Sequence, residues 1–187
     1  PPKGVMLSHE NLAWTAKQGV DLLNITADDS ALSYLPLSHI AEQVFTIHAA
    51  ITAGYRIYFA ESGLKVPDNL KEVQPSIFFG VPRVWERFHS GVSARLAEAT
   101  GPRAKIAQWA MGVGEKVWTM RYRGEEPSGL LAMQYNLAGK LFFSKVKAAL
   151  GLANMKFGIS AAAPLNPEII HFMKKLDIQV YELYGQS

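Results

Sequence analysis

The sequence predicts an α/β fold: a mostly parallel sheet flanked by helices, with a helical insertion. Short apolar runs rich in β-branched and aromatic residues recur along the chain. Most of them are separated by stretches whose apolar residues repeat at helical spacing. Parallel neighbours need crossover connections, so this alternation points to a covered parallel sheet, with ligands gathering beyond the carboxyl ends of its strands.

The chain opens with PPKGVMLSHENL, where Pro1, Pro2 and Gly4 punctuate a turn and Ser8 is a good helix N-cap. Val5 to Leu7 is too short for an independent strand, so the opening reads as the downstream half of a loop. Leu12, Ala16, Val20 and Leu23 then share a helical face. ALSYLPL from Ala31 is the first strand pattern, and after Ser38 a helical face carries Ile40, Val44, Ile47 and Ile51. YRIYF from Tyr55 and SIFFGV from Ser76 are the next two strands.

From Pro82 to about Leu150 the pattern is helical, with one break at RGEEPSG, Arg123 to Gly129. Ile106, Trp109, Ala110, Val113, Val117 and Met120 form one apolar stripe, and Ala138, Phe142, Val146 and Ala149 another. MKFGIS from Met155 and IQVYELYG from Ile178 complete the strands. Between them LNPEIIHFMKKL supplies a helix with Asn166 as N-cap, Pro167 in the first turn and Glu168 at its positive end. The chain holds no internal repeat, low-complexity tract or domain linker.

With 187 residues, 49% of them hydrophobic and 19% charged, the chain has the apolar content to fold around a core. The absence of cysteine excludes a disulfide framework, a thiolate nucleophile and a zinc–thiolate site. No run approaches the roughly 18 apolar residues of a membrane span, and nothing in the opening residues suggests a signal peptide, so a cytoplasmic protein is expected. The net charge of +3 is uneven: residues 101 to 150 hold 8 basic and 3 acidic groups, against 8 and 10 in residues 1 to 100. Basic helices over 102–150 could rest on a membrane periphery, or be core-packed with lysines reaching into water; nucleic acid is not expected.

Two loops carry the most chemistry. GISAAAP (Gly158 to Pro164) and YELYGQS (Tyr181 to Ser187) each follow a strand pattern. Three alanines let a flat ring lie against the backbone, Tyr184 offers an aromatic face, and Gly185 allows a turn that points Ser187 inward. The residues alone leave an adenine slot and an ordinary strand end both open. His39, in LPLSHIAEQ, sits where strand hands over to helix, as a crevice group or as a hydrogen-bonded structural one. Glu42 lies three residues on, yet no second such pair exists, so no metal site is expected within the chain. His9, His48, His89 and His171 lack zinc spacing, no serine sits in a nucleophile elbow, and GVG at Gly112 lies inside a helical pattern with no strand before it.

PPKGVMLSHEN, SYLPLSHIAEQ, GVPRVWER, GISAAAPL and YELYGQS, in this order and spacing, resemble the AMP-forming long-chain acyl-CoA synthetases of the adenylate-forming superfamily. The SYLPLSHIA, GVPRVWE and WAM wording is similar to the bubblegum type. The resemblance implies that residues 1–187 are the central portion of a large N-terminal AMP-binding domain, incomplete at both ends, with 82–150 a helical insertion. It implies an ATP-dependent long-chain fatty acid–CoA ligase, with ATP/AMP, Mg2+ and coenzyme A as its cofactors and co-substrate.

By the same resemblance Ala161, Ala162, Ala163 and Pro164, with Glu182, Leu183, Tyr184, Gly185 and Gln186, line the adenine pocket. Ser187 touches the α-phosphate, Lys3 supports a phosphate loop, and His39 sits near the acyl carboxylate. Phe79, Gly80 and Val81 are candidates for the acyl wall, and core packing accounts for them equally. Magnesium is held in the family by a glutamate following YGQS, and adenylation uses a lysine of a mobile C-terminal domain, so the isolated chain is expected to be inactive. Ala161 stands where many relatives carry glycine, a substitution disfavoured if that position needs a positive φ, and Leu183 stands where glycine is frequent. An adenylating enzyme for another carboxylic acid and a non-catalytic nucleotide- or acyl-binding module are the alternatives.

Overall fold

The structure, a computed structural model, describes residues 4–185. All five expected strands form: β1 (Ser30–Ser33), β2 (Arg56–Phe59), β3 (Ile77–Phe79), β4 (Phe157–Ser160) and β5 (Val180–Glu182). They make one sheet in the order β2-β1-β3-β4-β5, and every pairing is parallel. The central β3 and β4 are buried along their whole length, whereas the edge strand β2 leaves Phe59 72% exposed.

The two-residue alternation of the strands sends side chains to two cores. Ala31, Ile77, Phe79, Phe157 and Ile159 face α1 (His9–Leu23) and α3 (Ala49–Ala53), where Ala16 and Ala49 are buried against them. Leu32, Phe78 and Val180 face α4 (Val66–Val73), α5 (Pro82–Glu98) and α9 (Pro167–Lys175) through Leu70, Trp85, Phe88, Ile169 and Met173. Gly158 leaves a notch on that second face, and the Trp85 indole fills it. Beyond lie α6 (Gly101–Tyr122), α7 (Gly129–Ala138) and α8 (Ser144–Leu150), with their own core of Ala110, Val113, Val117, Ala138 and Phe143.

Local signals place the helix ends well. Ser8 caps α1 in a reciprocal box: its Oγ accepts from the Asn11 N–H, and Asn11 Oδ1 accepts from the Ser8 N–H, each at 3.1 Å. Asn166 Oδ1 accepts from the Glu168 N–H at 2.9 Å at the start of α9. Gly112 and Gly114 lie inside α6 as expected, and Gly114 serves packing: a Cβ there would stand 2.5 Å from the Lys175 carbonyl oxygen of α9.

Three expectations are corrected. The helix after Ser38 is interrupted: α2 (Ile40–Gln43) runs into a π turn over Val44–His48 before α3. The extra residue in a π turn rotates the following face by about 100°. Ile51 is therefore 79% exposed, and Ala49 is buried instead. A second π turn, Gly139–Phe143, buries Phe143 rather than Phe142 and leaves Ala149 exposed. The long helical stretch also breaks twice, since α5 ends at Glu98 and α6 begins after Thr100, in addition to the break before Gly129.

The outer helices are tied to the sheet through Asp177, in the turn before β5. Its carboxylate accepts from the Tyr135 hydroxyl of α7 and from Lys147 Nζ of α8, each at 2.5 Å, with Arg121 of α6 at 3.9 Å. At the amino edge the buried Asp29 accepts from the Thr26 N–H (2.9 Å), Ser76 Oγ (2.7 Å) and Lys156 Nζ (2.7 Å). Burial alone would raise the Asp29 carboxyl, but these donors outweigh it and hold the group below its ordinary value. Among the described residues, no helix is long and apolar enough to cross a membrane.

Candidate functional site

The strand order fixes where the sheet opens. The chain runs outward from β1 to β2, then returns past β1 and runs the other way through β3, β4 and β5, so the topological switch lies between β1 and β3. In open parallel sheets the crevice forms outside the carboxyl ends at such a point. The loop after β1 leads to His39, and the loop after β3 is Gly80–Val81.

His39 is the N-cap of α2, its Nδ1 accepting from the Ala41 N–H at 3.3 Å. Because Nδ1 is an acceptor there, the neutral ring carries its proton on Nε2. One turn on, the buried Glu42 accepts from Ser33 Oγ at the end of β1 and from Thr46 Oγ1 at 2.7 Å. Glu42 thus fixes α2 to the strand that precedes it. The Tyr55 hydroxyl donates to the Phe45 carbonyl, within the π turn. Burial, with the Glu42 charge next, raises the Tyr55 phenol, and burial chiefly pushes Tyr34 up to about 12.

The two loops named from the sequence come together. β4 and β5 are paired neighbours in register Ser160↔Glu182, and the Leu183 N–H donates to the Ser160 carbonyl at 2.9 Å. Glu182 Oε1 accepts from the Leu165 N–H at 2.9 Å, so its carboxylate stitches one loop to the other. Ala161 and Leu183 pack inward on the same core, while Ala162, Ala163, Pro164, Tyr184 and Gly185 face solvent, Tyr184 being 91% exposed. The Ser160 hydroxyl, at the end of β4, is buried and has no hydrogen-bond partner among the described residues.

Backbone strain falls one residue from where the sequence puts it. Ala162, not Ala161, has the left-handed φ of +77°. A left-handed backbone disfavours any residue with a Cβ, so the loop holds Ala162 against its preference.

Of the acyl-wall candidates, Phe79 is core, 7% exposed and packed on Phe45 with centroids 5.4 Å apart. Gly80 is buried too: its N–H donates to the Ile159 carbonyl at 2.8 Å. Lys3, Gln186 and Ser187 lie outside the described residues. Sequence reasoning misses Trp85 as part of the site. Its Nε1–H donates to the Gly80 carbonyl at 2.9 Å and reaches the Ile159 carbonyl at 3.3 Å, joining the loop after β3 to the end of β4. The available signal is the lone glycine inside MKFGIS, since a glycine within a strand marks a close approach.

Comparison with known proteins agrees with this architecture. The AMP-binding enzyme family matches residues 1–187. The chain is 42% identical over 190 residues to the Homo sapiens long-chain-fatty-acid–CoA ligase ACSBG2, covering all of this chain and 28% of that protein. It is 38% identical over 194 residues to the Homo sapiens long-chain-fatty-acid–CoA ligase ACSBG1, covering all of this chain and 26% of that one. The chain thus spans about a quarter of the length of these curated relatives. Among solved structures, a malonyl-CoA ligase with methylmalonyl-CoA and AMP bound aligns over the whole chain and 30% of its own, with TM-score 0.64 and 18% identity. The AMP-bound A-PCP didomain of carboxylic acid reductase from Segniliparus rugosus aligns over the whole chain and 22% of its own, with TM-score 0.63 and 20% identity. These structural likenesses concern the fold.

Proposed function

The chain belongs to the AMP-binding enzyme family, and from that premise we propose that its parent protein is an ATP-dependent long-chain fatty acid–CoA ligase. Residues 1–187 are then the central part of its nucleotide- and acyl-binding domain, with 82–150 as a helical insertion. The parent joins a fatty carboxylate to the α-phosphate of ATP, releasing pyrophosphate, and coenzyme A thiol then displaces AMP to give the thioester. The observation that carries this reading is the pair of solvent-facing loops after β4 and β5, stitched by Glu182 to the Leu165 N–H. The two ligases named ACSBG2 and ACSBG1 supply the choice of a fatty acid as substrate.

In this proposal adenine lies between the Ala161–Pro164 loop and Tyr184, whose ring stacks on the purine. Glu182 ties the two walls together through the Leu165 backbone. The acid lies at the switch point, with Gly80 and Val81 beside it, Phe79 behind them, and His39 presenting Nε2 toward the carboxylate. Lys3 and Ser187 serve the phosphates and Gln186 the nucleotide. Both half-reactions gather negative charge, so oriented donors are what the site must provide. Among the described residues no three His, Asp or Glu side chains cluster as a metal site. Magnesium would accompany the ATP phosphates, held as the resemblance implies by a glutamate following YGQS. A cytoplasmic enzyme touching a membrane periphery through 102–150 completes the proposal.

The test is full-length parent protein supplied with ATP, coenzyme A and free fatty acids of graded chain length. AMP should form only when a long-chain acid is present. Turnover confined to aryl or amino acids, or none with any acid, refutes the assignment.

A further inference from the structure

A second concavity lies on the sheet face covered by α4 and α5, reaching the carboxyl edge at Tyr34, the residue after β1, and at Gly63, after β2. It is a cleft of about 810 Å³ between α4, α5, α6 and α8, inside the roughly 300–1,000 Å³ range of ligand sites. Leu70, Phe88, Val92 and Ala107 give it a buried apolar floor. Five cationic residues contribute to its walls: Lys71, Arg87, Arg95, Arg103 and Lys145. Among the described residues no aspartate or glutamate lines it. None of the five has an ion-pair partner among the described residues, whereas Lys147 on α8 and Lys65, in the turn leading into α4, are paired.

Low-dielectric walls under one sign of charge concentrate counter-ions. Arg87, Gly91 and Arg95 stand four residues apart along α5, so they share one ridge of the wall. A Cβ at Gly91 would meet nothing within 4 Å. Glycine is unfavourable inside a helix, and no packing contact accounts for this one. Its effect is a gap in the wall between two arginines.

We propose that this cleft binds a long-chain fatty-acid anion, its tail on Leu70, Phe88 and Val92 and its carboxylate among Arg87, Arg95 and Arg103, separate from the acid being activated. Phe79 and Val81 of the proposed activation site pack with the core on the other face of the sheet, which separates the two. The inference rests on the proposed function only for the choice of a fatty acid; the apolar floor and cationic rim stand without it. A free single chain suits a trough set between helices.

The experiment is equilibrium binding of palmitate to the full-length protein without ATP or coenzyme A, so that no turnover occurs. Two equivalents should bind. Gly91→Leu, whose Cβ would meet nothing within 4 Å, and the pair Arg95→Glu with Arg103→Glu should each weaken one equivalent at least tenfold. Thermal melting should show each variant folded, and kcat should stay within twofold of wild type. Dodecyltrimethylammonium, with a cationic head, should not compete. A single equivalent unchanged by these variants overturns the proposal. So does a single equivalent lost together with turnover, which makes the cleft the path of the reacting acid. Binding of the protein to anionic phosphatidylserine vesicles, lost in the variants while palmitate binding is not, identifies a lipid surface and also overturns it. A parent that ligates no acid yet binds palmitate in this variant-sensitive way refutes the ligase reading alone.

Discussion

Replacing Gly158 by alanine tests how the loops of the proposed site are held in place. A Cβ at that position would lie 2.4 Å from Trp85 Cη2 and 2.7 Å from Cζ2. Carbon atoms prefer about 3.5–4.0 Å, so the indole must retreat by about 1 Å. It has little room: Trp85 is fully buried and meets Phe78 and Phe88 edge-on, at 5.7 Å between centroids in each case. Overpacking of this kind costs about 1–3 kcal/mol. Retreat also stretches the Nε1–H bonds to the Gly80 and Ile159 carbonyls, and a buried donor left unpaired costs about 1–3 kcal/mol more. The sum, about 2–6 kcal/mol, is large beside the roughly 5–15 kcal/mol that stabilises a domain.

Trp85→Phe removes the indole N–H and part of the ring, and should cost about 2 kcal/mol by itself. It also vacates the space that the added methyl group of Gly158→Ala needs. The double variant should therefore be less damaged than the two single changes predict, with a coupling of about 1–2 kcal/mol. The assay is hydrogen exchange of peptides spanning 157–165 in the full-length protein, which reports local opening free energy. Additive effects to within about 0.5 kcal/mol, or a Gly158→Ala variant that exchanges like wild type, refute the wedge.

Ala162→Gly should stabilise the protein by roughly 0.5 kcal/mol, because relief of the left-handed backbone, about 1–2 kcal/mol, exceeds the added unfolded-state entropy of about 0.4–1 kcal/mol; a lowered melting temperature contradicts it. Asp177→Asn keeps a residue that tolerates the φ of +60° but loses the charge facing Lys147 and Arg121, so α7 and α8 peptides should exchange faster, by about 1–3 kcal/mol of local stability. Tyr34 and Tyr135 are pushed up to about 12, both chiefly by burial and Tyr135 next by the Asp177 hydrogen bond. Their folded values lie above the unfolded value near 10, so the stability linked to them is complete below about pH 10 and is lost as pH rises toward 12. Phenolate absorbance should show these two rings ionising late, with the buried Tyr55 later still.

The strands are legible because each is a short apolar run bounded by turn residues, as Ile77–Phe79 is by Pro75 and Gly80. Ser8 and Asn166 announce their helices because a cap is a local hydrogen bond. The π turns at Val44–His48 and Gly139–Phe143 are not legible. They leave the residue types unchanged and shift only the helical phase of the residues after them, so periodicity assigns Ile51 to the wrong face. At the proposed site, the adjacency of Ala161 and Leu183 follows from reading two strand ends as neighbours. Trp85 escapes because its contacts lie up to 74 positions away, at Ile159, and only the fold joins them. The cation-lined cleft draws on four helices and has no motif of its own.

Photolabelling the full-length protein with 8-azido-ATP, followed by peptide mapping, tests the central claim most directly. The account predicts labelled peptides containing Ala161–Pro164 and Tyr184, protected by excess ATP and not by GTP. Label found only elsewhere, or on these peptides without protection by ATP, would contradict a nucleotide held between the loops after β4 and β5.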